Sequence, residues 1–258
     1  MTDKAWLDKL AKVKEGQYIP APDVARDVFQ IMNPSNADSQ VALYVALMAK
    51  SKPLCDCDAI RKLLEMDVCL KDNSLGFKDG FIKFHNRNVE TYSRAICRSL
   101  GYSSIKSERI ALSGEFHDIG KIAVPDNILN KPEILTDDER RLYIRPHPDT
   151  GAYMLSLMGK LFGVDFEDVI PNIRYHHEWR SGNGYPQGLR ESDIPLGAQV
   201  VSVADVFDAL TSKRPYKEPV SPENALETMA QEAGHFDPDL LEHAKKPLLR
   251  VFSEIYQN

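Results

Sequence analysis

The sequence predicts an all-α protein, and three observations carry that reading. Few segments alternate apolar and polar residues with period two. Core-type residues instead recur at three- and four-residue steps, as in His85, Val89, Tyr92, Ile96 and Leu100, which therefore share one helix face. Helix start and stop residues stand where that period begins and ends.

Taken in order, residues 23–32, 39–50 and 58–66 are amphipathic at the helical period and predict a small helical N-terminal domain over 1–75. The polar, turn-rich stretch from Lys71-Asp72-Asn73-Ser74 to Asp79-Gly80 sets a boundary, with a second domain over 76–258. In that domain the stripe from His85 to Leu100 forms one helix, and Gly101 ends it as a C-cap glycine would. Thr136 with Glu139 is a capping box that opens another helix. Residues 198–212 are apolar enough for a buried helix, which Pro215 closes. Ser221-Pro222 places an N-cap before a proline at the first helical position. Met154, Leu155, Leu157 and Met158 read as core packing.

Composition narrows the function classes. The chain has 258 residues, 43% hydrophobic and 27% charged, the mix of a globular protein with a real core. A formal charge of −6 argues against binding long nucleic acid through a broad basic face. The longest apolar run, 41–49, is far short of the roughly 20 residues that cross a bilayer. Met-Thr-Asp-Lys at the start lacks a signal-peptide pattern, so a cytoplasmic protein is expected. Cys55, Cys57, Cys69 and Cys97 do not form a disulfide framework; Cys55-Asp56-Cys57 lacks CxxC spacing and a companion histidine, so free thiols are the simpler reading.

The chemistry lies in the histidines. There are seven: His85, His117, His147, His176, His177, His235 and His243. Each, taken alone, is more often a hydrogen-bonded core or surface residue than a ligand. Their neighbours change that. His117-Asp118 offers a nitrogen and a carboxylate at one point, and two carboxylate oxygens can bridge two cations. His176-His177 is a second adjacent pair. His147 lies between Pro146 and Pro148, which restrict its backbone. Asp205 lies in an apolar helix, where an unpaired carboxylate is costly; a cap or an arginine partner is the alternative to a metal. Five histidines and two aspartates without cysteine suit iron, manganese or zinc. They are too many for one tetrahedral ion and suit two ions sharing a carboxylate, a device that cleaves phosphoesters.

An ordered set of blocks resembles the HD-GYP family, HD-superfamily phosphohydrolases that degrade bacterial cyclic dinucleotides. The blocks run from about Phe84 to about Leu241: His85-Asn86-Arg87-Asn88-Val89, His117-Asp118-Ile119-Gly120-Lys121-Ile122, His147-Pro148 with Gly151, His176-His177-Glu178, Gly182-Asn183-Gly184-Tyr185-Pro186, Val203-Ala204-Asp205 through Ser212, and Arg214-Pro215-Tyr216-Lys217. The resemblance implies an HD-superfamily helical bundle with the metal site in its core. It implies that His85, His117, Asp118 and Asp205 hold one ion, and that Asp118, His147, His176 and His177 hold a second, with iron or manganese as the metal. It implies that Lys121, one turn beyond His117 on the same helix, contacts the scissile phosphate. Tyr185 would stand near substrate, Asp208 in a guanine or phosphate shell, and Arg214 and Lys217 would bind the dinucleotide.

Two departures stand out. Some members bind a third metal through a glutamate one turn before the first histidine, where this chain has Phe81, so a binuclear centre is expected. The loop often carries an aspartate where this chain has Ser181. Glu178 reads equally as a residue behind a ligand imidazole or as a solvent-facing one, and His235 and His243 as structural. The expected activity is hydrolysis of cyclic di-GMP to pGpG, GMP or both, with Asp118 and Lys121 at the reacting phosphate. The alternatives are a cyclic GMP-AMP phosphodiesterase and a module that binds dinucleotide or protein with little turnover. A homodimer or a signalling protein is the partner such a domain would take.

Overall fold

The helical period resolves into packed helices in the computed structural model, which describes residues 81–129, 131–162, 165–213 and 218–256. The N-terminal domain expected over 1–75, the cysteines before Cys97, and the 214–217 segment lie outside the described residues. Among the described residues there is no strand, only an isolated bridge between Ser181 and Arg190.

Helix α1 (Phe81–Ser99) buries the predicted stripe: Val89, Tyr92 and Ile96 are fully enclosed and His85 nearly so. It ends as the sequence predicts. Gly101 takes a left-handed φ of 75°, and two bonds close the helix, Gly101 N–H to the Arg98 carbonyl and Tyr102 N–H to that of Cys97. Helix α2 (Ser104–Phe116) starts on Ser103, whose hydroxyl accepts from Lys106 N–H. It packs along α1. Gly114 makes this possible, since a Cβ there would stand 3.0 Å from the Val89 carbonyl and the Ser93 hydroxyl.

Helix α2 stops at Phe116, and Asp118 takes the bridge conformation (φ −97°, ψ 4°). A 3₁₀ turn, Ile119–Ala123, follows, so Lys121 is not on the helix that leads to His117, as the sequence had suggested. The adjacent Gly120 lets this turn lie on the next long helix, because a Cβ at 120 would run into the His147 carbonyl. The capping box forms between Thr136 and Glu139 and opens a one-turn helix, Asp137–Glu139, that widens into a π turn at Arg140–Ile144.

Helix α3 (His147–Phe162) and helix α4 (Ile170–Tyr175) pack together, and α5 (Leu196–Thr211) is the buried central helix. It begins two residues earlier than the sequence suggested. Helix α6 (Pro222–Gln231) is capped by Ser221, as predicted, and α7 (Pro238–Tyr256) carries Pro247 within it.

Two apolar clusters hold these helices. The larger joins α1, α2, α5, α6 and α7 through residues such as Tyr92, Ile96, Ile110, Phe207, Met229 and Leu248. The smaller joins α2, α3 and α4 through Leu112, Phe116, Leu155 and Ile173. Full burial of each such side chain contributes on the order of 1.5–3 kcal/mol. Helix α2 belongs to both, and at its C-terminal end the chain sets down His117 and Asp118.

Candidate metal centre

The candidate ligands come from six places in the fold: His85 from α1, His117 just past α2, Asp118 before the 3₁₀ turn, His147 from the start of α3, His176 and His177 just past α4, and Asp205 from α5. The structure brings all seven together in three overlapping groups: His85, His117 and Asp205; His117, Asp118 and His176; and His147, His176 and His177. Within each group the donor atoms lie within 4.8 Å of one another.

Asp118 joins the two halves. Its Oδ1 is 3.2 Å from His147 Nε2, while its Oδ2 is 3.4 Å from His117 Nε2 and accepts from Lys121 Nζ at 2.6 Å. On the other side, Asp205 Oδ1 lies 3.2 Å from His85 Nε2 and 3.8 Å from His117 Nε2.

The imidazoles are oriented from behind. His117 Nδ1 donates to the Gly114 carbonyl at 2.7 Å, His147 Nδ1 to that of Ile144 at 2.8 Å, and His176 Nδ1 to that of Ile173 at 2.7 Å. A carbonyl only accepts, so each Nδ1 holds a proton, and in that neutral tautomer Nε2 faces inward as an acceptor. The consequence is lone pairs facing one another: His147 and His176 Nε2 are 3.4 Å apart. Moreover, His117 Nε2 and Asp118 Oδ1 are buried with no hydrogen-bond partner among the described residues. Buried acceptors converging without a donor are costly, and a divalent cation satisfies them together. The residues thus fit the metal that the sequence implied.

Electrostatics agree. Burial alone would raise the carboxyls of Asp118 and Asp205, but neighbouring histidines, and Lys121 beside Asp118, hold both well below the usual range. Burial, reinforced by adjacent imidazoles, pushes His176 down to about 3 and His177 well below its ordinary value. Burial opposes charge on His85 as well, yet Asp205 and Asp208 overcome it and raise that imidazole to about 9. Ionised Asp118 and Asp205 beside neutral His176 and His177 are in the state in which such side chains ligate, whereas His85 must give up a proton to do so.

The structure corrects the reading of Asp208. It is fully buried, so no surface of it meets a substrate. Its Oδ2 takes the His85 Nδ1 bond at 2.7 Å and its Oδ1 accepts from Asn88 Nδ2 at 2.8 Å. Asn88 also donates to the Tyr256 hydroxyl, which lies 3.0 Å from Ser212 Oγ. Asp208 therefore stands behind a candidate ligand. The spacing held the clue: His85/Asn88 and Asp205/Asp208 are i, i+3 pairs that meet face to face.

Glu178 also departs from both readings. It is buried and accepts the backbone N–H groups of Gln187, Gly188 and Leu189 at 2.6, 3.0 and 3.0 Å. It thereby holds the loop that presents Tyr185. Gly182 supplies a φ of 81° at that loop's base, and Gly184 lies so close to the 177–179 backbone that a side chain could not fit. Tyr185 stacks on His177 with ring centroids 4.7 Å apart, and the Arg145 guanidinium lies 5.3 Å from the tyrosine ring. The sequence had not singled out Arg145. His235 is structural, as expected, stacked between Trp179 and Phe236. His243 is exposed. Arg214 and Lys217 fall outside the described residues.

With this geometry established, comparison with known proteins is informative. The HD domain family matches residues 72–240. The chain is 41% identical over 162 residues to a cyclic di-GMP phosphodiesterase of Pseudomonas aeruginosa, covering 63% of this chain and 38% of that protein. It is 34% identical over 159 residues to a 3′3′-cGAMP-specific phosphodiesterase of Vibrio cholerae, covering 61% of this chain and 30% of that one. The chain spans less than half the length of the curated relatives it matches. Among solved structures, an HDG"Y"P protein from Bdellovibrio bacteriovorus shares the fold, with a TM-score of 0.54 at 23% identity over 88% of this chain and 68% of that one. Among the described residues no helix is long and apolar enough to cross a membrane.

Proposed function

Since the chain belongs to the HD domain family, in its HD-GYP branch, we propose that it is a metal-dependent phosphodiesterase that hydrolyses cyclic di-GMP to pGpG, GMP or both. The observation that carries this reading is the shared carboxylate: Asp118 turns one oxygen toward each of two clusters of inward-facing imidazoles.

His85, His117, Asp118 and Asp205 would hold one divalent ion, and Asp118, His147, His176 and His177 a second, iron or manganese in each case. Bound there, the ions supply Lewis-acid charge to the phosphate and to water. The protein's own groups do the rest. Lys121, paired with Asp118 and part-exposed, places a cation where charge develops on phosphoryl oxygens. Tyr185, held against His177 by the Glu178-pinned loop, offers a ring and a hydroxyl at the rim. Arg214 and Lys217 would add positive charge for a dianionic substrate, against the −6 of the whole chain. A bacterial second-messenger substrate would place this domain, 76–258, in the cytoplasm.

Cyclic GMP-AMP is the second substrate to consider, because relatives named for it match over the same share of the chain. Product chromatography tests both. Protein reconstituted anaerobically with Fe(II) or Mn(II) is incubated with each dinucleotide, alongside Asp118→Ala. Linear product from the wild type only, with cyclic di-GMP consumed faster, is the expected outcome. No product from either dinucleotide with fully loaded protein would refute the reading and leave a binding module.

A further inference from the structure

The rim of the centre carries a cation that the sequence did not flag. Several arginines are compensated: Arg140 faces Asp137, Arg141 faces Asp138, Arg174 faces Asp149, and Arg180 is paired with Asp237. Lys131 is likewise held by Glu139. Arg145 differs. Among the described residues no carboxylate lies within ion-pair distance of its guanidinium, and its recorded side-chain neighbour is the ring of Tyr185.

Its place is fixed. Arg145 N–H bonds to the Arg140 carbonyl at 2.8 Å, closing the π turn. The carbonyl of the preceding Ile144 takes the His147 Nδ1 bond. Arg145 is thus tied through the carbonyl of its neighbour Ile144 to one candidate ligand, His147, and through the Tyr185 ring to another, His177. An exposed, uncompensated guanidinium one aromatic layer from the centre is a fork for a phosphate, and it presents two parallel donors to two oxygens.

Resting on the dinucleotide reading above, we propose that Arg145 binds the second phosphate of the substrate, the one not being cleaved. A cyclic dinucleotide carries two phosphodiesters, one ribose apart on a single ring. When one occupies the Asp118–Lys121 position, the other must leave water at the rim, where Arg145 meets it.

The test compares cyclic di-GMP with linear GpG, which has the same two bases and a single phosphodiester. In metal-loaded Arg145→Ala the KM for cyclic di-GMP should rise about 10-fold or more, as expected for losing a charge-assisted bond, with kcat within about twofold. The KM for GpG should stay near that of the wild type, and Arg145→Lys should recover part of the loss for the cyclic substrate. Equal loss on both substrates would overturn the inference in favour of base contact or damage through Tyr185. No loss on either would overturn it as well. If the wild type neither cleaves nor binds cyclic di-GMP, the function itself is wrong and the inference falls with it; normal wild-type turnover with an indifferent Arg145→Ala removes the inference alone.

Discussion

Asp208 Oδ2 lies 2.7 Å from His85 Nδ1, across 123 residues of chain, so a carboxylate stands behind that imidazole where His117, His147 and His176 lean on backbone carbonyls. A carboxylate makes the imidazole a stronger base and fixes which nitrogen faces inward. Asp208→Asn keeps the shape and removes the charge. It should weaken the binding of one equivalent of Mn(II) by about 10- to 100-fold and leave the other equivalent near wild type. Isothermal titration with metal counting reads this, and unchanged affinity at both sites would refute the role.

Glu178 receives three consecutive N–H groups of the loop behind Tyr185. Glu178→Gln offers one acceptor oxygen in place of two ionised ones. Amides 187–189 should then exchange with deuterium faster, and kcat/KM should drop about 10-fold, the scale of a lost charge-assisted bond. Metal stoichiometry should not move. Loss of metal together with loop protection would show that Glu178 supports the centre itself.

Gly120 lies against the His147 carbonyl with no room for a side chain. Gly120→Ala forces the 3₁₀ turn off α3, at a cost of about 1–3 kcal/mol. At roughly 2–4 °C per kcal/mol for a domain of this size, melting should fall by a few degrees to about ten. Metal affinity should fall with it, since the same turn sets Asp118 against His147.

The pH dependence of the metal-free protein follows from the direction of each shift. His176, pushed down to about 3, and His177, also depressed, stay neutral in the fold but take protons in the unfolded chain below about 6.5. Their contribution is therefore full above about 6.5 and declines as pH falls toward 3. Asp118 and Asp205 add a further loss at the acid end, below about 3.8. His85, raised to about 9, works the other way: its stabilisation is complete below about 6.5 and lost as pH rises through 9. Melting temperature should peak near pH 6.5 and fall on both sides. Saturating Mn(II) should raise it most near neutrality and progressively less in acid, where protons compete for the imidazoles. A flat profile between pH 5 and 7 would contradict the buried neutral histidines.

Local signals were legible in the sequence and distant partnerships were not. The α1 stripe, the Gly101 stop, the Thr136–Glu139 box and the Ser221 cap each depend on residues a few positions apart, and each stands in the structure where the sequence put it. The seven His and Asp side chains lie together in three overlapping groups. Asp208 and Glu178 were misread because their partners are set by packing: one meets His85 across the α1–α5 interface, the other meets backbone amides, which carry no side-chain signature. The break between His117 and Lys121 was hidden for a related reason. Nothing in Ile119-Gly120-Lys121 forbids a helix; the close approach of α3 at Gly120 is what turns the chain there.

Gly114 has a second consequence beyond letting α1 and α2 touch. Its carbonyl orients His117, and its missing side chain sets how near α1, with His85, can come. One residue that could offer no donor atom to an ion thus gauges the gap between two candidate ligands. A helix spacing ruled by a single hydrogen atom becomes, a turn away, the spacing between two histidines that reach the core from different helices.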